Sequence, residues 1–237
     1  MTRAAKPGLV LIPGLLCDAL LWRAQVEALK PDFQCWVADH TRSDTMAGVA
    51  ADVLRESPFE RFALAGLSMG GYAAFEIVRQ AACRVDRLAL LDTSARADSP
   101  EQRRRRQAFI TLARRGRFVG VTRALLPLFV HRDRLDDGKL VNTVKEMGRN
   151  IGREAFIRQE QAIMSRADSL PLLPTIACPT LVLCGRQDAI TPLDRHEEIA
   201  GGISGATLRV IERCGHLSPL ERPAEVSEAL KAWLAAG

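Results

Sequence analysis

The segment Gly66-Leu67-Ser68-Met69-Gly70, followed at once by Gly71, lies between an apolar run at 62–65 and a helical pattern at 70–80. A strand that turns directly into a helix leaves its turning residue with strained backbone angles. Glycines on either side let strand and helix pass without steric clash. The spacing therefore predicts a strand–turn–helix unit with the Ser68 hydroxyl at its apex, the setting of a nucleophile. A phosphate-cradling glycine loop is the competing reading. No GxGxxG pattern and no Walker-type lysine supports it.

Short apolar or β-branched runs at 9–12, 35–38, 62–65, 87–91, 180–184 and 207–211 alternate with helical patterns at 19–29, 46–56 and 70–80. Near-continuous apolar strands separated by helices imply an α/β fold, a mostly parallel, doubly wound sheet covered on both faces. Pro223 suits the first turn of a closing helix that runs to about residue 234. The alternation stops between 95 and 176, where helical patterns appear at 99–115, 117–130, 136–149 and 153–166. Ser99 reads as the cap of the first, with Pro100 and Glu101 in its first turn. So long a stretch exceeds what one crossover helix needs. The chain divides into a core, 1–95 and 177–237, and a helical cap, 96–176, inserted between sheet strands and laid over the sheet's carboxyl edge without being an independent domain.

Composition removes several classes of function. Its 237 residues can bury a full core, and 47% apolar with 26% charged residues suits a globular enzyme. Aromatics at 5% supply no stacking platform, and no nucleic-acid reading module is present. The net charge of +5 gathers at Arg103, Arg104, Arg105 and Arg106, followed by Arg114, Arg115 and Arg117. A solvated helix face is the plain reading of that run; an anionic substrate or an acidic protein partner is the functional one. Six scattered cysteines without a CxxC pair or zinc-like spacing suggest buried thiols in a reducing compartment. Arg3 and Lys6 before the apolar run 9–12 look like a leader, but Pro13-Gly14 breaks the run after four residues. No other segment approaches 18 unbroken apolar residues, so no membrane span is expected and the cytoplasm is the expected location. No metal or organic cofactor is expected either, since no zinc-like spacing is present and hydrolysis at a serine requires none.

A serine hydroxyl needs a base. Of four histidines, His216 follows the last strand on a loop at the carboxyl edge. His40 follows a strand nearer the far side of the sheet, while His131 and His196 sit in or beside helices, where solvated surface positions are expected. The base in turn needs an acid to orient it. Asp188, in Gly185-Arg186-Gln187-Asp188 after the strand at 180–184, is preferred to Asp92 at the preceding strand end, for which a loop-bracing hydrogen bond is expected. Two backbone amides should hold the oxyanion, that of Met69 and that of Leu15, which Gly14 frees to turn inward. Leu16 and Leu217, the neighbours of Leu15 and His216, are expected to contact substrate.

With these residues in view the sequence resembles the α/β-hydrolase superfamily. The matching landmarks are Leu11-Ile12-Pro13-Gly14 with Trp22 beyond it, Gly66 to Gly71, Gly185 to Asp188 with Thr191-Pro192, and Gly215-His216 with Leu220-Glu221-Arg222-Pro223. They span nearly the whole chain except the cap, in the order Ser68, Asp188, His216 typical of the superfamily. Pro13 stands where the common His-Gly motif has its usually structural histidine. The chain begins at what is usually the third strand, so the hairpin found before it in many members is expected to be missing. The nearest branch looks like the small-cap carboxylesterases, enol-lactonases and carrier-linked methyl esterases; Ser68 argues against haloalkane dehalogenases, whose nucleophile is Asp. The resemblance implies a serine hydrolase of small-molecule esters; Arg103–Arg106 by themselves would suit an acyl chain ending in a carboxylate or an acidic carrier protein. Lactone, thioester or C–C cleavage and peroxide transfer would use the same triad. A ligand-binding protein with a vestigial triad, or a nucleic-acid binder using the arginines, are the readings from other classes.

Overall fold

A computed structural model describes residues 6–116 and 118–236. Arg3 of the leader-like N-terminus and Arg117 of the basic cluster lie outside the described residues. The described chain forms β1 (Gly8–Ile12), α1 (Arg23–Leu29), β2 (Gln34–Val37), α2 (Met46–Glu56), β3 (Phe62–Leu67), α3 (Met69–Ala81) and β4 (Val85–Leu91). After these come α4 (Pro100–Arg114), α5 (Leu126–Phe129) and α6 (Gly138–Ser165). The chain then returns to the sheet through β5 (Thr180–Gly185), α7 (Leu193–Gly202), β6 (Thr207–Ile211), α8 (Ser218–Glu221) and α9 (Pro223–Ala235). The strands form one sheet in the order β2-β1-β3-β4-β5-β6. Every pairing is parallel, so the sheet is wholly rather than mostly parallel.

Alternate side chains of a strand face opposite ways, and here both faces are dry. Leu9, Leu11, Ala65, Leu91 and Leu183 enter one apolar cluster with α1 and α9. Val10, Ile12, Leu64, Leu90 and Val182 enter the other, with α2, α3 and α7. This two-faced demand explains why β1, β3 and β5 read as unbroken apolar runs rather than alternating ones. All the loops that leave the carboxyl ends of parallel strands emerge on one edge, which is where the candidate side chains gather.

Between β4 and β5 the chain is helical, with one departure from the expected pattern. The helix expected at 117–130 shortens to α5, because Gly120 adopts φ +66° and Pro127 tolerates only the start of a helix. The two helices expected at 136–149 and 153–166 are both present within α6, separated by the non-helical Gly152 (φ +72°, ψ 175°). The capping reading of Ser99 agrees with the structure: its Oγ accepts from the Gln102 amide at 3.2 Å, and the Gln102 side chain accepts from the Ser99 amide at 2.8 Å. No helix among the described residues is long and apolar enough to cross a membrane.

Candidate active site

Ser68 stands between β3 and α3 with φ 54° and ψ −114°. A non-glycine residue takes such angles only where its surroundings over-determine them. A Cβ on Gly66 would run into the Gly70 carbonyl, and one on Gly70 into the carbonyl of Ile12, so only glycine lets α3 start this close to the strands. The turn is pinned from below: the Ser68 amide donates to Leu91 O at 2.9 Å, and Thr93 Oγ1 donates to Ser68 O at 2.8 Å.

The Ser68 hydroxyl lies 2.9 Å from His216 Nε2, and His216 Nδ1 lies 2.8 Å from Asp188 Oδ2. With Nδ1–H donating to the carboxylate, Nε2 is left to accept from the hydroxyl. Asp188 is itself fixed: Oδ1 accepts from the Ile190 and Thr191 amides at 2.8 and 2.9 Å, and Oδ2 from Thr191 Oγ1 at 2.7 Å. All three side chains are buried. Burial pushes the Asp188 carboxyl up, but His216 and the Thr191 donors outweigh it and hold the group below the usual carboxylate range. Burial likewise works against a charged His216, yet the Asp188 charge prevails and raises the imidazole above its ordinary value.

Asp92 sits in the same floor without meeting the His216 ring. Its Oδ1 accepts from the Gly185 amide at 2.9 Å and its Oδ2 from Ser218 Oγ at 2.5 Å, so it ties the ends of β4 and β5 to the His216 loop. Burial first, and the Asp188 charge second, hold this carboxyl well above the usual range. The expectation that His131 and His196 are solvated is corrected: both are buried. His196 Nε2 accepts from the Thr93 amide at 2.9 Å while Nδ1 faces Pro192 O at 3.3 Å, which requires the neutral ring. Burial accordingly lowers its pKa to about 4. His196 thus braces Thr93, which braces Ser68. The His131 ring lies under the cover, where its backbone amide donates to Glu221 Oε2 at 2.7 Å; Glu221 Oε1 accepts from the Gly215 amide at 3.0 Å.

The triad opens into a cavity of about 670 Å³, lined by Leu15, Leu16 and Leu217 from the core and by Phe109, Leu112, Phe118 and Phe156 from the helical cover. The Met69 side chain is buried in the core facing α2, while its amide opens α3 beside Ser68. Among the described residues neither the Met69 nor the Leu15 amide donates to another protein group. The Leu16 amide does, to Gln159 Oε1 at 3.2 Å. Cys17 also lines the cavity, but burial pushes its thiol up to about 12, so no thiolate competes with Ser68.

The arginine cluster does not act as one patch. Arg106 is committed internally, to Asp98 Oδ2 and Glu160 Oε2 at 2.7 Å each, and Arg103 donates to Met164 O at 2.5 Å. Arg105 is exposed and lines the cavity; Arg104 is exposed. Nothing in the sequence indicated Gln159, Glu160, His40, Thr93 or His196 as neighbours of the site, since each is brought there by packing between distant segments. Thr191 and Glu221 did carry a signal, as members of the landmarks around Asp188 and His216.

Comparison with known proteins now has a geometry to refer to. The model of the alpha/beta hydrolase family matches residues 9–229. A 2-hydroxy-6-oxononadienedioate/2-hydroxy-6-oxononatrienedioate hydrolase of a Pseudomonas species is 25% identical over 203 residues, 84% of this chain and 72% of that protein. A thermophilic esterase from Thermogutta terrifontis superposes with a TM-score of 0.89 at 30% identity, covering 97% of this chain and 90% of its own. The enol-lactonase from Burkholderia xenovorans superposes with a TM-score of 0.88, covering 100% and 94%; at 24% identity that likeness is one of fold.

Proposed function

The chain belongs to the alpha/beta hydrolase family and is a hydrolase, and we propose that it cleaves carboxylic esters through an acyl-enzyme on Ser68. The observation that carries this reading is the unbroken line from Ser68 Oγ to His216 (2.9 Å) to Asp188 (2.8 Å) at the floor of a largely apolar cavity. His216 Nε2 takes the Ser68 proton as Oγ attacks the ester carbonyl, and Asp188 stabilises the imidazolium. The amides of Leu15 and Met69 hold the oxyanion; losing one such donor costs about 2.7–4 kcal/mol of transition-state stabilisation. The alcohol leaves with the proton from His216, and water repeats the cycle to release the acid. The chemistry needs no metal or organic cofactor.

The cavity suits an apolar acyl or alcohol group, contacted by Leu16 and Leu217 beside the triad. Arg105 at its wall, with Arg104 outside, is where a distal carboxylate or an acidic carrier protein would meet the basic helix; Arg106 and Arg103, already engaged, drop out of that role. Free thiols at Cys17, Cys35, Cys83, Cys178, Cys184 and Cys214 fit a reducing cytoplasm. Lactone, thioester, C–C and peroxide chemistry draw on the same three residues, and the likeness to the Thermogutta esterase favours the ester.

The test is labelling with a fluorophosphonate probe, wild type against Ser68→Ala, followed by p-nitrophenyl esters of increasing chain length. Ser68-dependent labelling and turnover are expected; a wild type that neither labels nor turns over is a binding protein instead. The rate should rise with pH through the His216 ionisation, since only neutral imidazole accepts the proton. Because Asp188 raises that pKa, the midpoint is expected above that of a free histidine.

A further inference from the structure

Gln159, on α6 of the helical cover, is completely buried, yet it touches nothing that reacts. Its Oε1 accepts from the Leu16 amide at 3.2 Å, and its Nε2 lies 3.0 Å from Nε2 of His40, which arrives from the loop after β2. That same His40 nitrogen lies 3.0 Å from Gly14 O, which also accepts from the Cys17 amide at 3.1 Å. His40 Nε2–H donates to this carbonyl, so it packs against Gln159 Nε2 without accepting from it. Two distant segments therefore grip consecutive peptides of one short loop. The loop is under backbone strain, because Leu16 adopts φ 59°, a conformation that persists only when the surroundings impose it.

The grip decides which amide faces the substrate. The C=O and N–H of a trans peptide point in opposite directions. Drawing the Gly14 carbonyl toward His40 and Cys17 turns the N–H of the same peptide, that of Leu15, the other way. The loop lies against the nucleophile there: a Cβ on Gly14 would stand 3.3 Å from Ser68 Cβ, and Gly14, Leu15 and Ser68 line the same cavity. The next amide, Leu16 N–H, is consumed by Gln159. We propose that Gln159, with His40, is a positioning residue that holds Leu15 N–H as the oxyanion donor, so that the cover itself completes the catalytic loop. The inference rests on the acyl-enzyme reading above.

A buried glutamine kept only for stability would, on removal, weaken the fold and leave the chemistry alone. One kept to aim an amide would act on the transition state more than on the ground state. Gln159→Met keeps the length and apolar volume but offers Leu16 N–H no good acceptor. It is expected to lower kcat for p-nitrophenyl butyrate by about 10- to 100-fold, less than the roughly 10²- to 10³-fold of a donor lost outright because the Leu15 amide is misaimed and not removed, with KM within about twofold. Its affinity for phenylboronic acid, which forms a tetrahedral anionic adduct with a catalytic serine, should fall by a similar factor. Gln159→Glu, measured at a pH where the carboxylate is ionised, restores an acceptor to Leu16 N–H and should recover a large part of kcat.

His40→Asn approaches the same loop from the core side and should show the same kcat and boronate losses if Gln159→Met fails to fold. Variants that fold and keep kcat and boronate affinity within twofold of wild type overturn the inference. So does a loss of KM alone, or a Gln159→Glu no better than Gln159→Met. Fluorophosphonate labelling of wild-type Ser68 separates the two levels: labelled wild type with unaffected variants removes the clamp and leaves the acyl-enzyme standing, whereas unlabelled wild type removes both.

Discussion

The sheet and its helical cover are held together by different forces. β1, β3 and β5 are buried along their whole length and carry no charged residue. α4, by contrast, buries only Ile110 and Ala113 and presents arginines on its remaining sides. α6 joins the apolar core through Val144, Met147, Phe156 and Ile163, and polar contacts fasten the cover further. Arg106 and Arg166 share Asp98, Arg106 also reaches Glu160, Arg166 lies over the Tyr72 ring of α3, and Ser165 Oγ accepts from the Met46 amide at 2.8 Å. Ser68 thus stands on a frame fixed by apolar burial, while the cover adds to its apolar contacts a few directional ones that can be cut singly. Damage to the frame should therefore appear in kcat, and damage to the cover in substrate choice, except at Gln159, through which the cover reaches the loop at 14–16.

The sharpest test of that division lies within the frame. Asp188→Asn is expected to lower kcat by about 10⁴, because the amide favours the wrong imidazole tautomer. The pH midpoint of the residual activity should fall, since the charge that raises His216 is gone. Asp92→Asn keeps its place but loses acceptor capacity toward Gly185 and Ser218. A loss of about 1–3 kcal/mol in denaturant stability is expected, with a much smaller loss of rate. If Asp92→Asn gives the larger rate loss, the two carboxyls exchange roles.

In the cover, Arg106→Met leaves Glu160 and Asp98 buried without one of their cations, a change worth about 3–5 kcal/mol where a buried pair is broken. Proteolysis between α4 and α6 should accelerate and KM for long-chain esters should rise, while a small fluorophosphonate still labels Ser68. Loss of labelling in a protein whose sheet still melts cooperatively would break the comparison, making the cover part of the frame.

Leu112→Ser should give the smallest effect. Leu112 is 42% exposed and lines the cavity, so stability should move by less than about 0.5 kcal/mol. The rate ratio of octanoate to acetate esters should nevertheless fall by roughly three- to tenfold, as a partly buried leucine contact implies. An unchanged ratio would place the acyl chain elsewhere in the cavity.

The turn that carries Ser68 was legible in the sequence because its causes are local. Gly66, Gly70 and the flanking strand and helix patterns all state the same steric requirement within a few residues. His216 and Asp188 could be proposed because a parallel sheet sends every strand-end loop to one edge, so a position in the chain translates into a position in space. The limits have physical causes too. His196 reads like any polar residue on an exposed helix, and its burial under Thr93 follows from how α7 packs on the sheet. Four consecutive arginines on a helix, Arg103 to Arg106, must point to nearly every side, but only packing decides that Arg106 turns inward and Arg105 toward the cavity. The stretch 117–130 carries helical periodicity, but Gly120 and Pro127 confine the helix to Leu126–Phe129.

By itself, the sequence determined the sheet, the order of its strands along the chain and the serine turn, since apolar periodicity and glycine placement act through near neighbours. Tertiary structure alone decided which carboxyl meets His216, which amide of the loop at 14–16 stays free, and which arginines remain to greet a ligand. Each of those outcomes depends on a hydrogen bond of about 3 Å between residues far apart in the chain. No pattern in the sequence states such a distance; only the packing of the cover on the sheet sets it.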